Sequence, residues 1–337
     1  MNRNTRNLAL VLAAATMVFG ACKGKAPKQA DKPEFEIKLA HSAEANHPWH
    51  LAAQKFAQQV EKETNGRVKF SIFTAGEMGG EREMAEALQN GTLDMIIIAT
   101  MGMSTFEPQV QIYDFPYLFP TFEKAYEVLD GPAGQMVSDR LEKKGFHVMA
   151  YFENDYRGFS NSKRPINTPK DLKGLKLRVP ESPVLVAWMK AVGAAPTPMP
   201  FNEVYSALQT GVVDGQDNGI LLTYTHKLQE VQKYYSLSNH IYCPAPLFIN
   251  STLWNKLPSD IQEIMKKAAV EARDYQRQLN KEYRVKYREE LKTAGMQIND
   301  LSDENLQKFV DSARSVYPQF TNLIDKDIYD AVMAAVK

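Results

Sequence analysis

Two arginines are placed where an anion could meet them. Arg157 closes the run Asn154-Asp155-Tyr156-Arg157, and Arg178 sits in Leu175-Lys176-Leu177-Arg178-Val179, so each interrupts a segment otherwise patterned like the end of a strand. A guanidinium offers a planar fork of donors that meets a carboxylate bidentately, and the same fork serves a structural salt bridge equally well. Asp214-Gly215-Gln216-Asp217-Asn218-Gly219 gathers amides and carboxylates between glycines, and is expected as a loop that turns polar groups into a cleft. It lacks the later bidentate Glu of an EF-hand, which argues against calcium. His47 and His50 flank Pro48-Trp49 without a third ligand at metal spacing, so they are expected at a helix entry and a pocket wall.

Signs of catalysis are missing from the chain: it has no glycine-rich phosphate loop followed by Lys, no GxSxG elbow and no CxxC pair. No enzyme, metal or cofactor is therefore expected. Lys+Arg 40 balances Asp+Glu 40, so no net field draws the protein to nucleic acid. Cys22 and Cys243 are the only cysteines, which leaves no disulfide framework. Cys243, within Tyr242-Cys243-Pro244, is expected to be a buried structural thiol.

At the N-terminus Arg3 and Arg6 precede an apolar run from Leu8 to Phe19 that is short for a membrane span and reads as an export signal over residues 1–21. Gly20-Ala21-Cys22 resembles a bacterial lipobox, with plain secretion as the alternative, although Phe19 departs from the usual aliphatic residue. Residues 22–33 then form a Lys, Ala and Pro-rich tether. A periplasmic protein anchored by a lipid on Cys22 is the expectation.

The elements that must position the arginines follow from periodicity. Phe35, Ile37 and Leu39 alternate with charged residues, as do Val68, Phe70 and Ile72, and between them His50 to Glu63 carries Leu51, Phe56 and Val60 at helical spacing. A helix from Glu81, an Asn90-Gly91 stop and the apolar run Met95 to Ala99 repeat the β-α-β order. Such alternation predicts an α/β chain with mainly parallel sheets and ligands at the carboxyl ends of strands. A second α/β block opens near Arg157. Pro258 to about Gly295 reads as one long amphipathic helix.

With these residues in view the chain resembles the DctP-type solute-binding subunits of tripartite ATP-independent periplasmic (TRAP) transporters. The resemblance runs from His41 to about Ala272 through TAGEMGGEREMAEALQNGTLDM, YDFPYLFP, NTPKDLKGLKLRVPESP, GAAPTPMPFNEVYSALQTGVVDGQDN and VQKYYSLSNHIY. It implies a two-lobed periplasmic binding protein fold, with a ligand cleft between the lobes and a long helix bracing both. Residues 34–157 with part of 248–337 are expected as the first lobe, 158–247 as the second, and 248–337 as the bracing helix and C-terminal helices. Arg178 matches the family's signature arginine, which pairs with a ligand carboxylate. Asn218 matches an asparagine that helps hold the pair, Arg157 a second ligand-contacting arginine, and Phe201 an aromatic of the pocket wall. Asp217 and Gly219 stand where many members carry Glu and Pro. Motifs such as HPWH and GGERE look most like members that take uronates or related sugar acids, with Glu81, Glu153, Asn154 and His50 as expected hydroxyl partners. A C4-dicarboxylate or keto acid is the alternative ligand, and a ligand-presenting sensor the alternative role. TRAP permease subunits in the membrane are the implied partners.

Overall fold

Alternation along the first strand fixes how the first sheet faces: Ile37 and Leu39 are buried, while Glu36 and Lys38 stand in solvent, the period of two that a pleated strand imposes. The computed structural model describes residues 32–337. The expected signal 1–21, Cys22 and nearly all of the 22–33 tether lie outside the described residues. Strands among the described residues are β1 (Phe35–His41), β2 (Val68–Phe73), β3 (Met95–Ile97), β4 (Phe146–Tyr156), β5 (Gly158–Asn161), β6 (Lys176–Val179), β7 (Ala195–Pro198), β8 (Gly215–Asn218), β9 (Tyr234–Leu237), β10 (Tyr242–Asn250) and β11 (Gln297–Asp300).

They form two sheets, ordered β2-β1-β3-β10-β4 and β11-β9-β5-β8-β6-β7. In the first, β1 pairs parallel with β2 and β3, and β10 runs antiparallel between β3 and β4. The helix Pro48–Glu63 makes the crossover from β1 to β2. It begins at Pro48, two residues before the expected start, because proline is preset for the first helical position and His47 Nδ1 caps it by accepting the Trp49 N–H at 3.2 Å. In the second sheet β6 lies parallel between β7 and β8, while β5 is antiparallel to β8 and β9.

Three boundaries differ from expectation. The strand Tyr242–Asn250, expected to belong to the second lobe as far as residue 247, pairs with β4 and β3 in the first sheet. The C-terminal segment 248–337 supplies more than helices, since β11 joins the second sheet beside β9. Gly215–Asn218, expected as a loop, is the strand β8. Its polar side chains are tolerated in the interior because each finds a partner: Gln216 Nε2 donates to Ser160 Oγ at 2.8 Å, and Asn218 Nδ2 donates to Gln216 Oε1 at 3.0 Å. Gly215 is required there, as a β-carbon would lie 2.2 Å from the Ser160 carbonyl oxygen.

The helix Ser259–Thr293 has 35 residues and so runs about 50 Å. Its first half buries Ile261, Met265, Ala268 and Ala272 against Trp49 and Phe56 of the first lobe. Further on, Tyr287 and Leu291 pack with Ile220, Leu221 and Tyr235 of the second. Between these two faces the apolar stripe gives way to Gln276, Asn280 and Arg284, one turn apart, which grip the end of β4. Gln276 accepts the Glu153 N–H and donates to the Glu153 carbonyl, at 2.9 and 2.8 Å. The strand partner opposite Glu153 is Pro244, which has no N–H to give, and the Gln276 amide and the Trp49 indole N–H serve the Glu153 carbonyl instead.

Candidate functional site

The chain passes from one sheet to the other between β4 and β5, where Asp155 is held at φ 88°, a conformation rare outside glycine. Arg157 follows at once, and its fork is spent inside the protein. Nε donates to Asp217 Oδ2 at 2.5 Å, Nη2 to the Asp217 carbonyl at 2.6 Å and Nη1 to Asn218 Oδ1 at 3.1 Å. His240 Nε2 also lies 3.2 Å from Asp217 Oδ2, and its Nδ1 is 2.7 Å from Ser238 Oγ. Although burial alone would raise the Asp217 carboxyl, the Arg157 guanidinium and the His240 N–H together outweigh it and hold Asp217 well below the usual carboxylate range. Burial lowers His240, so it is the neutral ring that donates Nε2–H to Asp217 and accepts the Ser238 hydroxyl.

Arg178, on β6, is arranged differently. Nε and Nη2 both donate to a single backbone oxygen, that of Met199, at 3.0 and 2.8 Å. Nη1 has no protein acceptor and the side chain no carboxylate partner among the described residues. Burial, and then the neighbouring Arg157 charge, lower Arg178 to about 10. The fork is therefore a buried cation short of an anion, which is the condition that makes a carboxylate bind well. The Phe201 ring lies 5.7 Å from it.

A cavity of about 20 Å³ sits between the lobes, lined by Glu81, Asn154, Met101 and Ala99 from the first and by Arg178, Arg157, Asn218, Phe201, Pro180 and Leu222 facing them. As it stands it has room for little more than a water, so the lobes must part for a larger solute. Glu81 accepts from Ala99 N–H at 3.3 Å and Ser42 Oγ at 3.4 Å, both on Oε1. Burial raises its pKa, only partly offset by the Ala99 N–H and by Arg178 and Arg157. Asn154 makes one weak contact, Nδ2 to Cys243 Sγ at 3.7 Å, and its Oδ1 has no protein partner among the described residues. One wall thus offers a cation and the opposite wall offers acceptors. Cys243 itself is buried, and burial pushes its thiol up to about 12, so it stays protonated.

The model of the bacterial extracellular solute-binding proteins, family 7 (DctP), matches residues 39–323. The chain belongs to this family. Family 7 proteins are periplasmic solute receptors and not enzymes. The 2,3-diketo-L-gulonate-binding periplasmic protein of Escherichia coli is 34% identical over 292 residues, covering 87% of this chain and 88% of that one. A TRAP periplasmic solute-binding protein of Sulfurospirillum deleyianum, solved with bound succinate, superposes with a TM-score of 0.85 at 35% identity over 90% of this chain and all of that one. The sugar acid binding protein of Advenella mimigardefordensis, solved with galactonate, gives 0.88 at 30% identity, covering 90% of this chain and 98% of that one.

Within this family 7 fold two of the expected site residues stand apart from the cavity. Glu153 is fully buried on the far side of β4, where Arg284, Asn280 and Tyr126 bond its carboxylate. His50 faces His41, Nδ1 to Nε2 at 3.3 Å. Neighbours on a strand point to opposite faces, so the alternation that puts Asn154 at the cavity removes Glu153 from it. Roles unforeseen from sequence are those of Gln216, which holds the Asn218 amide, and His240, which braces Asp217 behind Arg157, and of Met101, Pro180 and Leu222 in the apolar wall.

The mouth of the cavity is close-set. A β-carbon added to Gly80 would lie 3.5 Å from Pro200 Cβ, and one on Gly76 would lie 3.9 Å from Asn202 Cβ. Outside it a groove of about 700 Å³ runs along both lobes, and Phe201 borders groove and cavity alike.

Proposed function

We propose that this protein captures a hydroxylated monocarboxylate, a uronate or related sugar acid, between its lobes for uptake by TRAP permease subunits. The observation that carries this is the asymmetry of the cavity: one arginine with an unspent fork faces the acceptor groups of Glu81 and Asn154. Arg178 takes the carboxylate, with Asn218 and Arg157 forming the floor beside it. Glu81 and Asn154 accept from hydroxyls, whose burial without partners would otherwise be costly. A second carboxylate would instead meet the Glu81 carboxylate. The galactonate-bound relative supports a sugar acid, while the succinate-bound one is the specific observation in favour of a C4-dicarboxylate. A bound solute stabilises the native state by mass action. In a thermal-shift series, galacturonate, glucuronate or galactonate should raise the melting temperature and succinate should not; a shift with succinate alone would reject the sugar-acid reading.

Cys22, by its lipobox-like context, is proposed to carry the lipid anchor. Cys22→Ser should then release the protein from the membrane fraction, and retention of the variant there would count against it.

A further inference from the structure

His226 links the two lobes at the rim of the cavity through an atom that, among the described residues, no neighbour in the first lobe serves. At the end of β1 the carbonyl of His41 accepts from Gly76 N–H at 3.2 Å and that of Ala43 from Ala75 N–H at 2.9 Å, both within the first lobe. The Ser42 carbonyl between them points the other way, and its partner is His226 Nε2 at 3.3 Å, reaching from the helix Ile220–Thr225 and its C-cap. The imidazole also meets the Phe201 ring edge-on, with centroids 4.7 Å apart.

These contacts form a continuous chain along the rim of the cavity. Arg178 lies against Phe201, Phe201 against His226, His226 donates to the Ser42 carbonyl, and Ser42 Oγ donates to Glu81. The chain starts at the cation of one wall and ends at the carboxylate of the other, and it crosses between the lobes at the single hydrogen bond from His226 to Ser42. We infer that His226 is a positioning residue that latches the closed mouth, holding Phe201 over Arg178 while it ties the second lobe to β1. It rests on the reading of Arg178 and Glu81 as the two ends of the solute site. Opening the mouth returns both the imidazole and the Ser42 carbonyl to water, so the latch is worth one net hydrogen bond, a three- to tenfold bias towards closure by order of magnitude.

The close approach of Gly80 and Pro200 supplies a test free of any solute. Their β-carbon separation of 3.5 Å suits a disulfide, whose β-carbons stand about 3.5–4.5 Å apart. In the full chain carrying Cys22→Ser, Gly80→Cys and Pro200→Cys, the rate of disulfide formation in oxidised glutathione, slow beside opening and closing, reports the fraction of molecules whose mouth is closed. Adding His226→Phe keeps an aromatic ring against Phe201 and removes the donor. It should slow cross-linking about three- to tenfold without moving the unfolding midpoint of the reduced protein. His226→Gln, which restores a donor, should recover the parent rate to within about twofold. Should the Phe variant fail to fold, His226→Asn, too short to reach Ser42, carries the same expectation. Equal rates in the donor-lacking and parent proteins would overturn the latch. Because no solute is added, that failure and a failure of the sugar-acid reading are told apart.

Discussion

Arg178 gives two of its three guanidinium nitrogens to one oxygen, the Met199 carbonyl, at 3.0 and 2.8 Å. This fixes the plane of the fork while leaving Nη1 for an incoming anion. A lysine would keep the charge but not the plane, and it could not grip both the carbonyl and a carboxylate in register. Arg178→Lys should weaken binding of the cognate acid roughly a hundredfold, or about 2–3 kcal/mol, by isothermal titration. Affinity within about threefold of the parent would show that charge alone suffices.

The two buried arginines should separate in their effect on folding. Removing one partner of a buried ion pair leaves the other charge stranded, at a cost of about 3–5 kcal/mol. Asp217→Asn does this to Arg157, which is 3% exposed. Arg178 has no such partner among the described residues, so Arg178→Ala should cost much less stability while abolishing tight binding. Urea unfolding of the two variants checks the contrast, and similar losses in both would contradict it.

Glu81 is the residue on which ligand class turns. Glu81→Gln removes a negative acceptor and adds donors, so affinity for a sugar acid should fall about tenfold, the scale of one hydrogen bond to a charged group, while affinity for succinate rises. Parallel changes for galactonate and succinate would mean that Glu81 does not choose between them.

Acid should find the fold through its histidines. Burial, and then the nearby charge of His50, lower His41 to about 3, whereas the unfolded chain takes a proton near 6.5. Below 6.5 the unfolded state therefore binds more protons than the native one. This group's contribution to stability is present above that value and is lost as pH falls from about 6.5 towards 3. Asp114, pushed up to about 7 by burial, acts with the opposite sign: its folded form keeps a proton that the unfolded chain sheds near 3.9, so its contribution is lost as pH rises towards 7. Comparing variants cancels that effect. His41→Gln should lose less stability than the parent between pH 7.5 and pH 5, by up to about 2 kcal/mol, in urea titrations at the two values. Identical losses would exclude His41 as the source.

Local pattern was enough for β1, where buried Ile37 and Leu39 alternate with exposed Glu36 and Lys38, and for the long helix, whose apolar face is written at three- and four-residue spacing. It was not enough for β8. Gly215-Gln216-Asp217-Asn218 has the composition of a turn, and only the pairing of Gln216 with Ser160, and of Asp217 with Arg157 and His240, makes it a buried strand. Those partners come from distant segments, so no window around residue 216 contains the information. Glu153 and His50 failed as cavity residues for another reason. Side-chain type suggested a hydroxyl partner, but the facing element decides: for Glu153 it is Arg284 on the long helix, and for His50 it is His41. The period of two along β4 was a usable signal that Asn154 and Glu153 face opposite ways.

The strand β11 arrives only after the long helix, yet it completes the second sheet by pairing with β9 from Gln297↔Tyr234 to Asp300↔Leu237. The second lobe is therefore not a contiguous cassette. A fragment cut at residues 158–241 would present β9 as a bare edge, an open template for other chains, and would lack Tyr287, Leu291 and Met296 from its core. For protein engineering this means that lobes cannot be exchanged between relatives by two simple cuts. A chimera that transplants the arginine-bearing lobe must also carry the distal helix end and β11, or it will inherit a surface prone to aggregation.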